Sequence, residues 1–188
     1  MTINGKSKGN SFERKICREF SRFITGEEKK DIFWRSINSG GYSTTKNKKG
    51  EPSENHCGDM ASIDPEGKLL INKCIFEFKH YKDINIWSIL YPEMTGNNIT
   101  GWWNIHLRRA SDVNRHPILI TRQNNKPVLF HCHSELGNLI INKLNINIRL
   151  IVPDLYMYIF FLSDVVQSDR KIFISIIKEL KEWNRKQE

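Results

Sequence analysis

From Cys74 to Lys79 the chain reads Cys-Ile-Phe-Glu-Phe-Lys, strand-forming residues interrupted by one acid and closed by a lysine. Alternate side chains of an extended strand share a face, so Glu77 and Lys79 point together while Phe76 and Phe78 point the other way. A segment of this kind has to lie with its aromatic face against a core and its charged face where charge has a use. Gly58-Asp59 stands one strand and one turn earlier. An acid on one strand, followed by acid-x-lysine on the next, suits the holding of a divalent cation by oxygen ligands.

The remaining composition narrows the classes. With 188 residues, 39% hydrophobic and 27% charged, the chain can bury a core in one domain and does not read as disordered. Cys17, Cys57, Cys74 and Cys132 are scattered without a CxxC pair. That speaks against a disulfide framework or a zinc ribbon and leads us to expect a reducing, cytoplasmic setting. No run approaches the roughly 18 apolar residues of a membrane span. The opening MTINGKSKGNSFERK has no apolar stretch after its first lysine, so no signal peptide is expected. The formal charge of +8 and pI of about 9.4 favour a polyanionic partner, nucleic acid first. An AT-rich genome would also inflate lysine.

Apolar periodicity predicts a helix from Ser11 to Ile24, with Asn10 or Ser11 as N-cap, through Phe12, Ile16, Phe20, Phe23 and Ile24. Asp31 to Ile37 reads as a strand. The polar stretch from Asn38 to Cys57 has no periodicity, and loops of that length inside a domain tend to be functional. Met60 to Ile63 reads as a second strand, Asp64 to Gly67 as a tight turn, and Leu69 to Lys79 as a third strand. Ile99 to Val113 carries a helical stripe with Arg108 and Arg109 near its edge. Pro117 to Thr121 and Pro127 to His131 follow as strands, then β-rich segments at Ile148 to Val152 and Leu155 to Leu162, then a final helix bearing Phe173, Ile176, Ile177 and Leu180. His131 and His133 share a face of their strand, yet no regular ligand spacing supports zinc.

In this order the chain resembles the PD-(D/E)xK nuclease superfamily, whose core is αβββαβ with an aspartate on the second strand and acid-x-lysine on the third. The segments Lys8 to Arg14, Arg35 to Gly41, Gly58-Asp59 and Glu77-Phe78-Lys79 look most like archaeal Holliday-junction resolvases and related phage nucleases. The likeness covers about residues 8–131. It departs in the glycine before Asp59, where the family has proline, and in the long preceding loop. Asn104 stands where a glutamine is frequent on the second helix. The resemblance implies an α/β fold with a mixed central sheet flanked by helices and extra C-terminal strands and a helix. It would form a single nuclease domain over residues 1–188, with its core at 8–131 and an extension from 132.

That resemblance further implies a metal-dependent endodeoxyribonuclease acting on branched DNA or at a specific site. Asp59, Glu77 and Glu13 would hold Mg²⁺, with Mn²⁺ as a possible substitute, and the Phe78 main-chain carbonyl would add an oxygen. Lys79 would orient or deprotonate the attacking water and stabilise developing charge. Lys8, Arg14, Arg35, Ser39, Lys46, Lys48 and Lys49 would contact DNA, and cuts on opposed strands imply a homodimer. The alternatives are a DNA-binding module that kept the fold without turnover, and an interaction protein whose triad is a buried salt-bridge cluster. Glu13 also has a plain use as a first-turn acid favouring the helix dipole.

Overall fold

The computed structural model describes residues 5–36, 58–91 and 98–183. Ser39, Lys46, Lys48 and Lys49 lie outside the described residues, as does the rest of the polar stretch from Asn38 to Cys57. Helix α1 (Gly5–Thr25) buries Phe12, Ile16, Phe20, Phe23 and Ile24, the stripe expected of it. It starts well before Ser11, so Asn10 and Ser11 lie within it and cap nothing. The apolar pattern could not reveal that first part, because Gly5 to Asn10 contains no large apolar residue.

Strands β1 (Phe33–Arg35) and β2 (Met60–Ser62) pair antiparallel as a separate ribbon, Phe33 opposite Ser62 and Arg35 opposite Met60. The next segment departs from expectation. Asp64 accepts the Glu66 N–H at 2.9 Å and Pro65 opens a short 3₁₀ turn, which continues into helix α2 (Lys68–Lys73). Leu69 to Lys73 is therefore helical, and strand β3 runs from Cys74 to Tyr81. Asp followed by Pro at the first position is a helix-start signal. The apolar run Leu-Leu-Ile that follows fits strand or helix alike.

After a 3₁₀ turn at Ile86–Ile89 come α3 (Ile99–Asp112), β4 (His116–Gln123), β5 (Val128–His133), α4 (Ser134–Leu144), β6 (Leu150–Val152) and β7 (Met157–Phe161). Helices α5 (Leu162–Val166) and α6 (Arg170–Glu179) follow. The main sheet has the order β3-β4-β5-β7-β6. Only β3 and β4 are parallel, and α3 is their crossover; the other pairs are antiparallel. A five-stranded mixed sheet with helices on both faces, an antiparallel hairpin against β3 and a parallel β4 is the restriction-endonuclease-like α/β arrangement.

Helix α4 is absent from the sequence reading, since Asn-Leu-Ile-Ile-Asn carries β-branched residues and Gly137 weakens any helical expectation. The glycine has a packing reason: a Cβ there would meet the Tyr158 ring at 2.5 Å. The apparent strand Leu155 to Leu162 is shorter at both ends, with Leu162 already in α5. Strands β6 and β7 pair into the same sheet as β5, so the last third of the chain completes the sheet that carries β3.

The sheet separates two apolar clusters. On one face Cys74, Phe76, Phe78, Ile118, Ile120, Phe130, Cys132 and Phe160 meet α1, α4 and α6. On the other Ile75, Leu119, Met157 and Ile159 meet α3 through Trp103, Leu107 and Ala110. Phe20, Phe76, Phe130, Phe160 and Phe173 are fully buried in the first cluster. Each contributes roughly 1.5–3 kcal/mol by leaving water, so this face dominates stability. Cys17, Cys74 and Cys132 are buried free thiols. No helix among the described residues is long and apolar enough to cross a membrane.

Candidate active site

The site begins with how Asp59 is held. Its N–H donates to the Phe76 carbonyl at 2.7 Å and its carbonyl accepts the Ser36 N–H at 3.0 Å. Its Oδ2 accepts the Phe78 N–H at 2.7 Å. The residue thus pins the β1–β2 hairpin to β3 and turns its carboxylate onto the strand that carries Glu77. Gly58 makes this approach possible: its φ is +80°, and a Cβ would stand 2.5 Å from the Phe76 carbonyl oxygen. Proline, fixed near φ −65°, cannot occupy the position. The positive φ and the close Phe76 carbonyl together call for glycine where the family has proline.

Glu77 is buried on the α3 side of β3, opposite Phe76 and Phe78, as the strand alternation requires. Its Oε1 accepts from Lys79 Nζ at 2.6 Å and its Oε2 from Arg109 Nη1 at 2.9 Å. Arg109 comes from α3, and Asn104 on the same helix is exposed.

The two carboxylates respond differently to the same neighbourhood. Burial, reinforced by the negative charge of Glu77, pushes the Asp59 carboxyl up to about 7. Burial would raise Glu77 as well, but Lys79 foremost, with Arg109 behind it, outweighs that and holds Glu77 below the usual carboxylate range. Burial pulls Lys79 down, yet the adjoining Glu77 more than compensates and keeps it a firm cation. Burial drives His106 down to about 4, leaving it neutral with Nε2 3.1 Å from the Ile75 carbonyl.

This donor set fits a hard divalent cation. Asp59 is a buried carboxylate with no ion-pair partner among the described residues, raised by a second buried carboxylate beside it. Oxygen donors of this kind are what Mg²⁺ or Mn²⁺ takes, and a bound cation would relieve the repulsion. Among the described residues no three acids, histidines or cysteines gather into one potential metal cluster. Glu13 is joined to Arg35 at 2.9 Å, although its charge still reaches Asp59.

The expected DNA contacts scatter. Arg35 is committed to Glu13, and Lys8 donates to Asn124 Oδ1 at 2.5 Å. Arg14 is exposed and lines an open groove of about 1080 Å³ along α1 together with Arg18 and Arg22, up to Val166 and Gln167. Arg18 and Arg22 escaped the sequence reading, though their spacing of four from Arg14 sets all three on one helix face. Arg109 escaped as a site residue because nothing local announces which β3 side chain it reaches. His131 and His133 share a face but separate in their contacts. His131 meets Thr121 at 2.8 Å, while the His133 ring lies against Tyr156 and Trp183.

No curated protein and no solved structure matches the chain. A family model described as "Phage putative PDDEXK endonuclease" matches residues 4–187. That span takes in the Asp59, Glu77 and Lys79 arrangement, α3 with Arg109 and the whole five-stranded sheet, and the chain belongs to this PD-(D/E)xK family of phage endonucleases.

Proposed function

We propose that the chain is a divalent-metal-dependent endodeoxyribonuclease with its site at Asp59, Glu77 and Lys79. The observation that carries this reading is a pair of buried carboxylates, Asp59 held on the Phe78 N–H and Glu77 on Lys79, close enough for the charge of Glu77 to raise Asp59. Asp59 and Glu77 would hold Mg²⁺, or Mn²⁺ in its place, with the Phe78 carbonyl as a further oxygen. The cation would polarise the scissile phosphate and lower the pKa of bound water. Lys79, a cation in this arrangement, donates hydrogen bonds to the attacking water and to the charge that grows on the phosphate, and it is not the base. Arg109 fixes the Glu77 carboxylate from the other side. Glu13 keeps Arg35 in place and adds negative charge near Asp59, short of acting as a direct ligand unless Arg35 moves.

Phosphate contacts fall to Arg14 and its neighbours on α1, and such contacts position DNA without reading its sequence. The resolvase-like layout favours branched DNA and a homodimer. The test is cleavage of supercoiled plasmid and of a synthetic four-way junction with Mg²⁺, with Mn²⁺ and with EDTA, beside Asp59→Ala. Metal-dependent cutting that disappears in the variant is expected, with the junction preferred. Retained DNA binding without cutting of either substrate under any metal would replace this reading with a binding module.

A further inference from the structure

Beyond Lys79 the charged face of β3 ends on Tyr81, which is stacked on Trp102 of α3 with ring centroids 5.1 Å apart and planes within 14°. Two side-chain contacts between β3 and α3 flank Lys79 along the strand, Glu77 with Arg109 and Tyr81 with Trp102, while His106 meets the Ile75 carbonyl further back. The spacings agree. Four residues of strand cover about 13 Å, and the seven helical residues from Trp102 to Arg109 cover about 10.5 Å and return to the same helix face. The catalytic lysine is thus bracketed by an ionic end and an aromatic end.

The aromatic end is open to solvent. Tyr81 is 37% exposed and Trp87 60% exposed. Trp87 sits in the turn that Thr100 fastens to the start of α3, its hydroxyl donating to the Ser88 carbonyl at 2.7 Å. Trp102 also packs at the edge of the α3 cluster, but α3 does not depend on it for anchorage, since Trp103 is fully buried and donates Nε1–H to the Leu155 carbonyl at 2.9 Å. Lys82 and Arg108 are exposed close by in sequence, one after Tyr81 and one before Arg109. Flat aromatic surface beside cations is the chemistry that holds unpaired nucleobases while the backbone follows the positive charge.

We propose that Tyr81 and Trp102 form a stacking platform for an unpaired base next to the scissile phosphate, so that the enzyme takes DNA with single-stranded or splayed bases at the cut. The proposal rests on the nuclease reading above and names the substrate class of that same site. A duplex interior keeps its bases stacked on one another and offers none to the platform, whereas a branch point, flap or frayed end does.

The test is binding by the full chain in EDTA, where nothing is cut. It compares a short oligo-dT with an abasic oligonucleotide of the same length and charge, read by dye anisotropy and by quenching of indole fluorescence. The expected result is quenching by oligo-dT alone and at least about 10-fold tighter binding of it than of the abasic strand. Tyr81→Leu should remove most of that difference while abasic binding holds, and Tyr81→Phe should retain it. Equal affinity for the two strands without quenching of the unmutated chain would overturn the platform and leave the nuclease reading standing, whatever the variants do. Binding of neither strand, nor of duplex or junction, would instead remove the nuclease reading. Loss of both affinities in a folded Tyr81→Leu would show a structural clasp and overturn the platform.

Discussion

The two faces of β3 are built from alternate residues of one eight-residue strand and do opposite work. Phe76 and Phe78 enter a dry cluster with α1, where Phe76 packs edge-on to Phe20 at 5.3 Å. Glu77 and Lys79, one residue out of phase, face α3 and spend their side chains on each other and on Arg109. The first face concentrates apolar area and hence stability. The second gathers buried charge, which stability alone would disfavour, since burying an ion costs more than pairing returns in most contexts. A strand shared in this way lets the core fix the position of the site to within the rigidity of close packing.

Breaking each face in turn gives the largest expected separation. Lys79→Ala should reduce cleavage by about 10²–10⁴-fold and leave the chain folded, with Arg109 still pairing the Glu77 carboxylate. Phe76→Ala should cost roughly 3–5 kcal/mol of stability through the cavity it leaves. Plasmid cleavage and thermal melts run side by side check both. If Lys79→Ala unfolds the chain, or Phe76→Ala leaves the melt unmoved, the division of labour is wrong.

Asp59 sharpens the comparison, because its buried carboxylate has no ion-pair partner among the described residues. Its folded value of about 7 lies above the ordinary 3.8, so the folded state binds that proton more tightly than the unfolded one. The contribution to stability is therefore fully present below about pH 4 and is lost as pH rises towards 7. In EDTA, Asp59→Asn should keep the hydrogen bond from Phe78 and escape this loss. The variant should gain on the order of 2 kcal/mol over the unmutated chain at pH 8, about 4–8 °C in Tm, and little at pH 4. Melting curves at the two pH values decide it. An equal gap at both would mean that the carboxylate carries no buried charge.

How much of this was legible follows the range of the forces involved. The β3 alternation, the α1 stripe and the α3 crossover are short-range patterns, and the structure has them where periodicity put them. Asp59, Glu77 and Lys79 could be named because acid-x-lysine and Gly-Asp recur at readable spacing. What stayed hidden depends on distant partners. Arg109 matters through Glu77, 32 residues away in sequence. Lys8 and Arg35 looked free and are held by Asn124 and Glu13. Gly58 showed in the sequence only as a departure from proline, and its reason lies in the Phe76 carbonyl behind it. Helices α2 and α4 were missed where short apolar runs fit either periodicity.

Arg109 offers a smaller effect on the same comparison. Its side chain is about half exposed, so its ion pair with Glu77 should add at most about 1 kcal/mol to stability. Its use lies in holding the carboxylate. Arg109→Ala should lower cleavage by about 10-fold with a Tm change of less than about 3 °C, and Arg109→Lys should recover part of it, since lysine keeps the charge and loses the planar donor geometry. Single-turnover cleavage rates at saturating metal separate this from weakened metal binding. A full rate in Arg109→Ala would make the arginine an ornament of α3.

The smallest effects belong to α1, whose buried stripe packs on the aromatic face of β3 while its exposed stripe carries the arginines proposed to meet DNA. Arg14, Arg18 and Arg22 lie about 6 Å apart along the helix axis, and the latter two rest only loosely on acids, Arg18 at 3.9 Å from Asp31 and Arg22 at 3.7 Å from Glu27. Contacts of that length leave both guanidinium groups free to exchange carboxylate for phosphate. Each phosphate neutralised releases counterions and contributes about 0.9 to the log–log salt slope. The double change Arg18→Ala, Arg22→Ala should therefore flatten the slope by close to 2 and weaken binding several-fold at low salt, with no change in Tm beyond error. Because these contacts carry no base information, the loss should be the same for oligo-dT and for the abasic strand. A loss confined to one strand would place the arginines at a base-reading surface, and an unchanged slope would place the DNA path elsewhere than along α1.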